Sequence, residues 1–159
     1  MFAERTFRRR TFEIAALWWL GGTGEDAAAW DGNEGSANAG LPLAGHTVLV
    51  VEDEFFVGLE IAQTLETAGA KIVGPARTLS EALEYAADDA IDMAVLDVDL
   101  DGEYSFDLAR SLRGRGVRVV FATAHADDSS LFHADTAEIP RLGKPTTARA
   151  LLRALLPLS

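Results

Sequence analysis

The sequence predicts an α/β fold with a doubly wound, five-stranded parallel sheet. Short β-branched apolar runs alternate with stretches of helical periodicity, five times over, from His46 to the last leucines. Parallel neighbours need a crossover, and a helix supplies it. The apolar runs are also nearly continuous rather than alternating, as in strands that helices cover on both faces.

The elements follow in order. HTVLVVEDE holds the first strand, Val48 to Val51, bounded by acids. EFFVGLEIAQTLETAGA is a helix: Phe56, Leu59, Ile61, Ala62 and Leu65 fall near helical spacing, and Gly69 stops it. KIVGPA is the second strand. TLSEALEYAADD opens on Thr78 as N-cap with Glu81 three residues on, a capping box. MAVLDVDL is the third strand, nearly all apolar until Asp97, and FDLARSLRGRG is a helix stopped by glycine. VRVVFATA is the fourth strand. DSSLFHAD is a short helix capped by Asp127 or Asp128, and EIPRLGKP contains a short fifth strand. TTARALLRALL is the last helix, with Leu151, Leu152, Leu155 and Leu156 on one face. The architecture is flavodoxin-like, and in such sheets function gathers at the carboxyl ends of the strands, near the reversal of strand order.

Bulk composition narrows the function. The 159 residues suit one domain, and 48% apolar residues suffice for a core. The absence of cysteine excludes disulfides and thiolate metal sites. A net charge of −11, from 14 basic and 25 acidic side chains, argues against nonspecific nucleic-acid binding. No apolar run reaches the roughly 20 residues of a membrane span.

Residues 1–45 read as an N-terminal extension and linker, poorly ordered or partly helical, ahead of a domain over 46–159. They hold all three tryptophans and the small, polar stretch DGNEGSANAG, Asp31 to Gly40. RRTF, Arg9 to Phe12, partly matches a twin-arginine export signal, but Glu13 interrupts the approach to the short run IAALWWL. Export is therefore not expected. The aromatic residues Phe7, Phe12, Trp18 and Trp19 suit local packing better than docking.

Polar residues close four of the strands. Glu52 and Asp53 follow the first, and Asp97 ends the third. Thr123 ends the fourth, before Ala124 and His125, and the fifth leads into Lys144 and Pro145. A parallel sheet brings all of these to one edge. Clustered acids repel one another, and a hard cation such as Mg²⁺ resolves that repulsion better than zinc where no His or Cys joins them. A lysine and a hydroxyl opposite suggest an anion as well. Together these groups describe phosphoryl transfer, with a carboxylate as covalent acceptor.

The motifs VVEDE, VLDVDL, FATA and GKP stand in that order. With them, the stretch from about residue 46 to 156 resembles the receiver domain of bacterial two-component response regulators. The resemblance implies Asp97 as phosphoacceptor. It implies Mg²⁺ held by Glu52, Asp53, Asp97 and the backbone carbonyl of Asp99. Thr123 and Lys144 would contact the phosphoryl group, and Pro145 would follow a cis peptide bond. Asp99 and His125, two residues past the acceptor and the threonine, would tune the lifetime of the aspartyl phosphate. The implied partners are a sensor histidine kinase or a histidine phosphotransfer protein and a downstream protein target. A homodimer is compatible, and neither nucleic acid nor membrane is expected. The protein would be a cytoplasmic phosphoprotein, an acceptor that at most catalyses its own phosphotransfer and dephosphorylation. The chain stops right after the last helix, so a stand-alone receiver is expected.

Two features depart from the common pattern. Arg141 stands where many receivers carry an aromatic switch, three residues before the lysine. It reads first as an exposed strand-end cation, and second as a sensor of the phosphoryl group or a partner. Phe121–Thr123, without that aromatic, is similar to a FAT-motif subgroup of receivers. The other departure is the loop DGEYS. It replaces the commoner Leu-Pro-Gly-type turn and changes the face beside the pocket.

Competing readings of LDVDLDG remain. A calcium loop would want a glutamate at its twelfth position, counting Asp97 as the first, where Leu108 stands, and a helix before it. A Mg²⁺-dependent phosphatase with Asp97 as nucleophile and Asp99 as acid/base would want its D-x-D near the start of the domain. A receiver-shaped binding module that is never phosphorylated would not need the intact acids, threonine and lysine. Asp101 is a loop acid.

Overall fold

A computed structural model describes residues 40–88 and 90–156. The expectations for the arginine cluster, the tryptophans and the linker before residue 40 fall outside them. Five strands form one parallel sheet: β1 (Thr47–Val51), β2 (Lys71–Ala76), β3 (Met93–Leu96), β6 (Arg118–Thr123) and β7 (Arg141–Gly143). Between β3 and β6 a two-stranded antiparallel hairpin, β4 (Asp99–Leu100) and β5 (Glu103–Tyr104), stands apart from the sheet. The helices are α1 (Phe55–Thr67), α2 (Leu79–Asp88), α3 (Phe106–Gly114) and α4 (Ala148–Leu155).

The sheet order is β2-β1-β3-β6-β7. The direction of winding reverses between β1 and β3, which opens a crevice above their carboxyl ends. Side chains alternate across the sheet as strand geometry requires. Leu49, Val51, Ala94, Leu96, Val119 and Phe121 enter one core layer. Val48, Val50, Met93, Val95, Val120 and Ala122 enter the other. Helices α2 and α3 pack against each other on one face, and α1 and α4 on the other. Both faces are thus buried, which is why the strands read as unbroken apolar runs.

The structure corrects several expectations. On α1 the buried stripe is Gly58, Ile61, Ala62 and Leu65. Phe56, expected on that face, is 80% exposed, because it precedes the stripe by too few residues to share its side of the helix. The helix expected over DSSLFHAD is a single 3₁₀ turn, Ser129–Leu131, capped by Asp128, which accepts from the Ser130 N–H. Packing onto the sheet begins ahead of β1. Leu43 is fully buried in the core beneath α1 and α4, and its N–H donates to the Ala68 carbonyl. The third sheet strand ends at Leu96, since the chain beyond it turns into the hairpin. Asp101 and Gly102 form that turn with φ of 54° and 89°, the positive pair a two-residue hairpin turn requires.

The capping box on α2 forms with one shift. Thr78 Oγ1 accepts from the Glu81 N–H, but the Glu81 carboxylate accepts from Arg77, one residue before the cap.

Candidate functional site

The crevice between β1 and β3 holds the acids. Glu52 continues the alternation of Val48 and Val50 toward α1. Gly58 makes room for it there: a Cβ on Gly58 would lie 3.3 Å from Glu52 Cβ. Glu52 is 1% exposed and Asp97 6%. One carboxylate oxygen from each of Glu52, Asp53 and Asp97 lies within 4.8 Å of the others. These are the residues that sequence reasoning placed together. Arg77 steadies the rim, its Nε donating to the Asp53 carbonyl.

Lys144 reaches in from the end of β7. Its Nζ donates to Asp97 Oδ2 at 2.6 Å. It also lies 2.6 Å from Glu52 Oε2 and 3.6 Å from Glu54 Oε1. The contact with Glu52 has the length of an ion pair without the alignment of a hydrogen bond. A buried anionic oxygen there is left without a well-aligned donor. Burial dominates and pushes the Glu52 carboxyl up to about 7, against the pull of the Lys144 ammonium. Burial works against the charge on Lys144 too. Its hydrogen bond to Asp97 and its close contact with the Glu52 carboxylate outweigh that and hold it above the usual lysine range. The Lys144–Pro145 peptide is cis, as the resemblance implied.

The under-coordinated oxygen and the three gathered carboxylates fit a hard divalent cation such as Mg²⁺. Asp99 fits as well. Val98 accepts from the Ser105 N–H across the hairpin, so by antiparallel alternation the Asp99 carbonyl faces away from Tyr104. The Asp99 side chain is committed elsewhere, since its Oδ1 accepts from the Gly102 N–H at 2.7 Å and braces the turn.

Thr123 is fully buried at the end of β6, and its Oγ1 accepts from the His125 N–H. The hydroxyl proton is therefore left to donate elsewhere. The Lys144 N–H donates to the Thr123 carbonyl, which ties the threonine and lysine segments together.

The family model for the response regulator receiver domain matches residues 48–156. The chain belongs to the response regulator receiver family. Among solved structures, SdrG from Sphingomonas melonis Fr1 is 36% identical. That match has a TM-score of 0.61 and covers 72% of this chain and 94% of SdrG. PhyR from Brucella abortus is 26% identical with a TM-score of 0.59, over 75% of this chain and 49% of PhyR. The sensory transduction protein LytT of Bacillus subtilis is 35% identical over 81 residues, 49% of this chain. This receiver spans 34% of LytT's length. No helix among the described residues is long and apolar enough to cross a membrane.

Arg141 departs from the reading of an exposed cation. It is half-buried, pairs in register with Phe121, and lays its guanidinium over the Phe132 ring. Sequence reasoning also missed Glu54 and Ser105. Glu54 is the third acid of the EDE run, but only the fold shows its approach to Lys144. Ser105 stands in the loop DGEYS with no local signal of a role. In the fold, its Oγ donates to the Asp97 carbonyl at 2.5 Å.

Proposed function

We propose that this receiver accepts a phosphoryl group on the Asp97 carboxylate from a phosphohistidine donor. The donor is a sensor histidine kinase or a histidine phosphotransfer protein. The observation that carries the reading is the Lys144 ammonium shared between Asp97 and Glu52, at 2.6 Å from each. It sets a positive charge against the buried acceptor, and it can turn from Asp97 Oδ2 to an incoming phosphoryl oxygen without leaving the pocket.

An Asp97 oxygen attacks phosphorus as the P–N bond to a protonated phosphoimidazole breaks, and neutral imidazole departs with that electron pair. The Thr123 hydroxyl donates a hydrogen bond to one phosphoryl oxygen, and Lys144 contacts another. Glu52, Asp53, Asp97 and the Asp99 carbonyl would hold Mg²⁺, whose charge offsets that of the transferring group. Water later attacks the same phosphorus and returns the free carboxylate. Asp99 and His125 set how fast that happens.

Signalling follows through protein contacts that depend on the phosphoryl group, or through relay to a further histidine. Phe121–Thr123, with Arg141 in place of an aromatic, supports a place in the FAT-motif subgroup. Cytoplasmic residence accords with this function.

Incubation with Mg²⁺ and acetyl phosphate or beryllofluoride, followed by mass or fluorescence, tests the reading. Single-site modification that disappears in Asp97→Asn is the expected result. No response would point to a binding module, and repeated turnover of a small phosphoester to a phosphatase.

A further inference from the structure

Ser105 occupies the N-cap of α3, where a serine hydroxyl ordinarily accepts from a helical N–H. It makes no such bond. The residue is fully buried, and its Oγ donates to the Asp97 carbonyl at 2.5 Å. Its N–H donates to the Val98 carbonyl, and its own carbonyl accepts from Ala109 in the first turn of α3, each at 2.9 Å. One residue thus fastens the helix to the Asp97–Val98 peptide.

The sheet does not do this. Its pairing along β3 ends at Leu96, opposite Phe121. Beyond that point, Val51 of β1 accepts from the Asp97 N–H at 2.9 Å. The Asp97 carbonyl is held from the α3 side by Ser105. Both backbone polar groups of Asp97 are therefore tied, from two different elements, and this fixes the direction in which its side chain leaves the backbone. On either side of Ser105, Tyr104 and Phe106 stack with ring centres 5.7 Å apart, and Phe106 meets Phe121 and Phe132 edge-on. The clamp is thus rooted in packed rings.

We propose that Ser105 is a positioning residue for phosphoryl transfer, acting through the backbone of Asp97. The proposal rests on the reading of Asp97 as acceptor. Misplacing the attacking oxygen slows reaction at a bound donor more than it weakens binding. Ser105→Ala should therefore lower the maximal rate of modification by acetyl phosphate at saturating Mg²⁺ about tenfold, with half-saturating acetyl phosphate unchanged.

A Ser105→Ala protein modified at the wild-type rate, or one changed only in half-saturation, would overturn the proposal and leave Asp97 as acceptor. Wild type that is never modified at Asp97 would overturn both. If Ser105→Ala does not fold, NMR of the wild type decides. A Ser105 hydroxyl proton in slow exchange with water, whose shift moves on adding Mg²⁺ and beryllofluoride, supports the clamp. A hydroxyl that exchanges like that of a free serine, or a signal indifferent to beryllofluoride, refutes it.

Discussion

Arg141 holds its guanidinium carbon 4.3 Å from the centre of the Phe132 ring. Phe132 in turn meets Phe106 and Phe121, at 5.7 Å from each. The arginine thereby lids a ring cluster that joins β6, α3 and the irregular segment before β7. A half-buried cation over an aromatic face contributes about 1 kcal/mol. Arg141→Ala should lower stability by about that much in urea unfolding, with the slope unchanged. An unchanged midpoint would mean that the guanidinium only rests on the ring.

Binding of Mg²⁺ should strengthen as pH rises from 6 to 8. The carboxyl of Glu52, raised to about 7 chiefly by burial, must lose its proton to bind the cation. Calorimetric titration of Mg²⁺ should show this rise in wild type. In Glu52→Gln binding should be weaker, with the rise greatly reduced.

The same group makes the metal-free protein less stable at higher pH. Its folded value, about 7, lies above the ordinary 4.5, so between these the folded state binds more protons than the unfolded chain. Glu52 favours folding below about pH 4.5 and loses that contribution as pH rises through about 7. Chelator-treated wild type should therefore lose stability relative to Glu52→Gln across this window. Parallel curves for the two proteins would contradict the burial argument.

Lys144→Ala removes a cation shared by two buried carboxylates. The loss should reach about 3 kcal/mol at pH 8, the usual scale for stranding a buried charge. It should shrink at pH 6, where Glu52 takes up a proton, and Mg²⁺ should restore part of it. Equal losses at both pH values would show that the lysine acts through packing alone.

Asp99→Ala and His125→Ala should each change the lifetime of the aspartyl phosphate severalfold while leaving phosphorylation possible. Asp99 also braces the hairpin through Gly102, so its variant should loosen residues 99–104 as well. Decay of the beryllofluoride-free phosphoprotein, followed by intact mass, checks this. Two unchanged half-lives would remove both residues from the chemistry.

The strands were legible because each lies buried on both faces and so reads as one apolar run. The site was legible for a related reason. Polar residues that close such runs must gather at one sheet edge, and Glu52, Asp53, Asp97, Thr123 and Lys144 do. The path from His125 to Pro140 was not legible. Its course depends on distant partners: Phe132 sits among rings from β6 and α3, and Asp135 pairs with Arg110 at 2.9 Å. Those contacts replace the helix that local spacing suggested. Ser105 was hidden for the same kind of reason, since nothing local distinguishes a serine that caps a helix from one that reaches back to Asp97.

The central claim is that Asp97 forms the acyl phosphate, and borohydride trapping tests it most directly. The protein is treated with Mg²⁺ and acetyl phosphate, reduced, digested and mapped by mass spectrometry. Homoserine at position 97, in a Mg²⁺-dependent yield, is the predicted result. Homoserine at Asp53, Asp99 or Asp101 instead, or at no position while the protein remains folded, would contradict the account.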